Sequence, residues 1–153
     1  MSEKAQRVSK FAKGTFLFCC MDGEKTPPLR EKHLFGHLDH IEANNARYRV
    51  AGPMRNSPEG DIVGSFFLIE ADDEDEAWKV MGGDPYIESG MYETITVHHI
   101  TPACGDLIGG VIWDQDEIRQ QHQSIKEISH SGFARPVTES SDVSTHKAAD
   151  KGI

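Results

Sequence analysis

Two short stretches that are apolar at consecutive positions constrain this chain more than any other feature. Phe16-Leu17-Phe18-Cys19-Cys20-Met21 and Phe66-Phe67-Leu68-Ile69 have the aromatic and branched character of strands. Side chains alternate between the two faces of a strand, so both faces of each stretch need burial. A sheet covered on one side only does not satisfy such a sequence. The first stretch is also the longest apolar run. It is far shorter than the roughly 18–20 residues of a membrane helix, and no signal-peptide core with a cleavage site is evident. No membrane association is expected.

The elements around these stretches come in a definite order. Residues 1–13 are polar and without period, an expected loose arm before a strand at 15–20. The turn chemistry of Asp22 to Pro28 predicts a break, and a helix is expected from Arg30 to about Asn45, with Leu34, Leu38 and Ile41 as its apolar stripe. Arg47–Ala51 reads as a strand stopped by Gly52-Pro53, and residues 65–70 as another. The acidic run Asp72–Glu76 then suits the first turn of a second helix, which carries Ala77, Val80 and Met81 and ends at Gly82-Gly83. Glu93–Ile100 alternates as a last strand before Pro102.

The order β-α-β-β-α-β predicts an α+β fold of the ferredoxin-like kind: a four-stranded antiparallel sheet with two helices on one face. The bare face calls for a cover, and a second subunit packed sheet to sheet is the economical one, although the C-terminal segment could cover part of it. A homodimer is the expectation. After Trp113 the composition turns Gln-, Ser-, Thr- and His-rich, so residues 114–153 read as a largely flexible tail in which Ile118, Ile125 and Ile128 hint at a short helix.

Charge and cysteine usage narrow the partners. Sixteen Lys and Arg against 25 Asp and Glu leave a net charge of −9. With no basic run, the chain would repel a phosphate backbone, so nucleic acid is not an expected partner. Three cysteines, two of them neighbours on one strand, point to a reducing compartment, and the expected location is the cytoplasm.

Among chemistry-bearing residues, His37 and Asp84 stand out. His37 falls at the edge of the expected apolar stripe, nearer to it than His33 or His40. There an imidazole can be held in one tautomer by a carboxylate and can exchange a proton; simple boundary packing is the plainer alternative. Asp84 lies between Gly82-Gly83 and Pro85-Tyr86, a position that also suits an Asx turn or helix stop. Arg47, Arg49 and Arg55 around the Gly52-Pro53 turn could meet an anionic substrate group or serve only as a solvated strand edge. His33, His37 and His40 with His98-His99 lack a metal-binding motif. Cys19 and Cys20 read as packing thiols, and no phosphate-binding glycine loop is present. No metal and no nucleotide or other cofactor is expected.

Taken together, Thr15–Cys20, His37-Leu38, Val50-Ala51-Gly52-Pro53-Met54, Gly64-Ser65, Ile69-Glu70-Ala71 and Asp84-Pro85-Tyr86 with Ser89-Gly90-Met91-Tyr92-Glu93 resemble the YciI-like (YCII-related) family over about residues 14–113. The resemblance implies a dimeric α/β-barrel with a ferredoxin-like protomer and a site at His37 and Asp84. Pro53, Ser65, Tyr86, Arg47 and Arg55 are the expected substrate-binding residues. Activity is assigned for few members: one branch removes chloride from chlorinated hydroxyhydroquinones, and distant relatives of the fold are muconolactone isomerases and monooxygenases. The chain departs from the family pattern in its longer, Pro-rich segment 23–30, in Gly36 inside the first helix, and in the tail after Trp113. An acid/base enzyme acting on a small cyclic or aromatic acid by elimination, dehydrohalogenation or isomerisation is the expected function. A non-catalytic module that binds a small metabolite is the alternative.

Overall fold

A computed structural model of the protein describes residues 3–130 and divides into two compact units: residues 12–101, and residues 3–11 with 102–130. The larger unit contains strands β1 (Gly14–Asp22), β2 (Tyr48–Arg55), β3 (Ile62–Ala71) and β4 (Tyr92–Ile100), and helices α1 (Thr26–Ala43), α2 (Glu74–Gly82) and α3 (Pro85–Glu88). The sheet is antiparallel throughout, in the order β2-β3-β1-β4. This is the ferredoxin-like arrangement. Among the described residues no helix is long and apolar enough to cross a membrane.

Alternation along β1 decides where the core sits. Phe16, Phe18 and Cys20 share the helix-covered face with their register partners Ile69, Phe67 and Ser65 of β3. Ala77 and Met81 of α2, with Leu29 and Ile41 of α1, close over them. Phe18 meets Trp78 edge-on, with ring centroids 5.0 Å apart. Leu17 and Cys19 point to the opposite face, paired with Leu68 and Phe66, and all four are only partly buried. Both faces of the two apolar stretches are thus apolar, and the helices cover one.

Three local expectations change. Pro27-Pro28 does not block α1 but begins it, because first-turn N–H groups have no partner within the helix and Pro lacks only what is not needed there. Gly52-Pro53 does not stop β2, which runs on to Arg55. β2 is an edge strand, where a residue without an N–H is tolerated. The face of α1 turned to the sheet is not the Leu34/Leu38/Ile41 stripe. It is lined by Thr26, Leu29, Arg30, His33, His37, His40 and Ile41, while Leu34, Phe35 and Leu38 are exposed. A polar face buried against a sheet has the helical period of an apolar one, and hydrophobicity alone cannot find it.

In the smaller unit, Val8 N–H donates to Val111 at 2.8 Å and Val111 N–H donates to Gln6 at 2.9 Å, so part of the arm pairs with the segment after the main fold. Arg7 bonds Glu117 of α4 (Gln115–His130) at 3.2 Å. That helix contains Ile118, Ile125 and Ile128, and positions 131–153 of the expected tail lie outside the described residues.

Burial of ionisable groups in the larger unit gives a pH expectation. The Cys20 thiol is pushed up from 9.0 to about 12, first by desolvation, then by nearby Cys19, Asp84 and Asp22. Tyr48 and Tyr92 are pushed up for the same first reason. A folded pKa above the unfolded one contributes stability that is complete below the unfolded value and declines as pH rises toward the folded one. The melting temperature should therefore fall by several degrees from pH 9 upward, and Cys20→Ala should make the first part of that fall shallower. Parallel pH profiles for the two proteins would contradict this reading.

Candidate functional site

Asp84 is the fixed point of the site. It follows Gly83, which ends α2, and precedes Pro85, which disfavours helical backbone before it, so its backbone is extended and it serves as N-cap of α3. Its N–H donates to Met81 at 3.0 Å, and its Oδ1 accepts the Tyr86 N–H at 2.9 Å. The side chain is fully buried, with 0% exposure. A buried carboxylate needs charged or polar partners, and the remaining one comes from α1.

That partner is His37. Its Nδ1 lies 2.7 Å from Asp84 Oδ2 and 2.9 Å from Oδ1. A carboxylate accepts hydrogen bonds and does not donate them, so Nδ1 carries the donated proton, and in the neutral ring Nε2 is the nitrogen with a free lone pair. The imidazole stacks on Tyr86 with centroids 3.8 Å apart and planes within 7°, and meets Phe67 edge-on at 6.3 Å. One hydrogen bond and two ring contacts hold its orientation. Its side chain keeps 15% exposure, so it lies at the margin of the core.

A second group of polar side chains gathers at the C-terminal end of β1. Arg30, two turns before His37 on the same side of α1, binds Asp22 through two bonds, one of 2.7 Å, and lies over the Tyr92 ring at 5.9 Å. The bonds to Asp22 hold the guanidinium charged. The Tyr92 hydroxyl bonds the buried Ser65 Oγ at 2.9 Å. Burial pushes the Tyr86 hydroxyl up, the nearby Arg30 charge opposes that, and Asp84 adds to it. Thr26 anchors the start of α1, donating to Met91 O at 2.6 Å and accepting from Gly23 N–H at 2.8 Å. Three residues after His37 on α1, His40 Nε2 and the Tyr48 hydroxyl are 2.9 Å apart.

The structure therefore brings together His37, Asp84 and Tyr86. Ser65 is held by Tyr92, and Pro53 is its register partner on β2. Arg47 and Arg55 are engaged elsewhere: Arg47 bonds Glu76 at 2.7 Å, and Arg55 bonds the Gly60 carbonyl at 2.6 Å, closing the β2–β3 turn. Neither contacts His37 or Asp84. Arg30, Tyr92 and Thr26 are not among the site residues expected from the sequence. The spacing from Thr26 to Arg30 to His37 on one helix side was the available signal. Among the described residues no three His, Cys, Asp or Glu side chains are placed to hold a metal ion.

The YCII-related domain profile matches residues 15–101. The chain belongs to that family. A relative, the uncharacterized protein YjpA of Bacillus subtilis (strain 168), is 33% identical over 82 residues, or 52% of this chain and 86% of that protein. Among solved structures, 5-chloro-2-hydroxyhydroquinone dehydrochlorinase (TftG) of Burkholderia phenoliruptrix AC1100, in complex with 2,5-dihydroxybenzoquinone, superposes with a TM-score of 0.53. It is 26% identical and covers 60% of this chain and 96% of its own. The family member and its structural neighbour thus share the ferredoxin-like fold.

Proposed function

We propose that the protein is an enzyme whose His37–Asp84 pair moves a proton on a small hydroxylated ring, in a dehydrohalogenation, related elimination or isomerisation. The observation that carries this reading is the fully buried Asp84 carboxylate bonded to Nδ1 of a histidine that is not itself fully buried. Nε2 takes a ring hydroxyl proton, and the carboxylate stabilises the imidazolium that forms. In a dehydrohalogenation the imidazolium gives that proton to the halogen-bearing carbon, and loss of a second hydroxyl proton then expels the halide with its bonding electron pair, so one hydrogen halide is lost, the ring ends as a quinone and no external oxidant enters the step. Tyr86, Ser65 and Pro53 line the substrate side. Arg30, whose charge acts on the Tyr86 hydroxyl, replaces Arg47 and Arg55 as the group that would face an acidic ring oxygen.

The likeness to a dehydrochlorinase described with a dihydroxybenzoquinone favours chlorinated or acidic hydroxyquinols as substrates. The apolar outer sheet face, with Leu17, Cys19, Phe66 and Leu68, favours a homodimer packed sheet to sheet. Three free cysteines fit a reducing, cytoplasmic setting.

The test is incubation of purified protein with a chlorinated hydroxyhydroquinone, following chloride release and the quinone absorbance. Catalysed chloride release is the expected result. Saturable binding of 2,5-dihydroxybenzoquinone with no turnover of any hydroxyquinol offered would replace the enzyme with a metabolite-binding module.

A further inference from the structure

α1 and α3 approach each other closely at a residue with no side chain. Gly36 stands in the middle of α1, where glycine is among the poorest helix formers. A Cβ placed on it would lie 3.1 Å from Cγ and 3.7 Å from Cβ of Pro85. The two residues in this contact are each the immediate chain neighbour of one half of the pair: Gly36 precedes His37, and Pro85 follows Asp84. The Pro85 ring is also stiff and is the first residue of α3, so it cannot yield by a simple side-chain rotation.

We infer that Gly36 is a positioning residue: the absent side chain lets α3 approach α1 closely enough for Asp84 to reach His37 Nδ1 at 2.7 Å. The hydrogen bond is short because the backbones are close. A methyl group at position 36 moves Pro85 outward by a few tenths of an ångström, and Asp84 moves with it. The same change improves the helix, so the loss falls on the hydrogen bond and not on the fold. The inference rests on the proposed role of the pair only for its effect on turnover, and its test is read on the hydrogen bond.

The experiment compares wild type, Gly36→Ala, Pro85→Ala and the double variant, following the proton on His37 Nδ1 in protein labelled with 15N-histidine, with His37→Gln supplying the assignment. Gly36→Ala should shift this proton upfield and speed its exchange with water while the melting temperature holds or rises. Pro85→Ala in the same chain removes the ring carbon that the methyl group meets, and it should restore the wild-type signal. Where turnover is measured, Gly36→Ala should lower kcat by up to about tenfold, in keeping with the sensitivity of proton transfer to small displacements. An unchanged Nδ1 proton in Gly36→Ala, or a change that Pro85→Ala does not reverse, overturns the inference.

Discussion

Asp84→Asn is expected to lower turnover by about 10²- to 10⁴-fold while leaving the fold intact, the range that positioned acid/base groups and correctly held tautomers supply. Asn has nearly the shape of Asp, and its carbonyl oxygen can still accept the Tyr86 N–H that caps α3. What changes is the direction of the bond to His37. An amide NH₂ aimed at Nδ1 is a donor, so the ring proton moves to Nε2 and the lone pair that would accept a substrate proton is lost. The charge that steadies an imidazolium goes with it.

Asp84→Ala should differ in kind. It leaves the buried Tyr86 N–H without its acceptor and costs about 1–3 kcal/mol of stability in addition to the activity. His37→Ala should match Asp84→Asn in rate, and combining the two should add little, since both disable one proton-transfer unit. Steady-state kinetics beside thermal melts separates these cases. Turnover by Asp84→Asn within a factor of two of wild type would leave the pair as a packing device.

The legibility of this site in the sequence has a physical limit that α1 illustrates. The order of elements could be read because strand and turn chemistry are local: Thr15–Cys20, Gly82-Gly83 and Pro102 each act on their own neighbours. The extended backbone of Asp84 could be read for the same reason, since the constraint Pro85 places on the residue before it is local, whereas the site roles of Asp84 and Tyr86 rest on the family resemblance. The orientation of α1 is not local. Leu34 and Leu38 formed an apolar stripe with the right period, yet both are exposed, because the helix turns Arg30, His33, His37 and His40 to the sheet. Sites of function are where sequence-level consistency is expected to fail, and here the failure coincides with the candidate site.

The pairing of Arg30 with Asp22 depends on how α1 lies over β1, whereas Arg47 and Arg55 are made conspicuous by a local feature, the adjoining Gly52-Pro53. The pairing of Arg7 with Val111 is not what a loose arm at residues 1–13 leads one to expect, because that partner is about a hundred positions away.

Phe18→Ala should cause the largest loss of stability of any single truncation in the core, about 3–5 kcal/mol, the range for buried aromatic residues. Phe18 has 0% exposure and lies on β1, an inner strand bonded on both sides. It has Phe67 as its cross-strand partner on β3 and Trp78 edge-on from α2. These surroundings are strands and helix backbone that cannot collapse into the space left, so the cavity term adds to the lost transfer energy. Against a typical domain stability of about 5–15 kcal/mol, such a loss is a large share of the total.

Phe66→Ala is the informative comparison, because Phe66 occupies the neighbouring position of β3 on the sheet face opposite α1 and α2. In a lone chain its side chain is only partly buried and the cost should be well under that of Phe18→Ala. If two copies pack sheet to sheet, the same ring becomes core, its loss approaches that of Phe18, and the variant dissociates on dilution. Denaturant titrations at two protein concentrations, with sedimentation beside them, read both effects. A concentration-independent and minor loss for Phe66→Ala, with wild type sedimenting as one chain, would assign the cover of that face to something other than a second copy. A minor loss for Phe18→Ala would contradict the placement of the core itself.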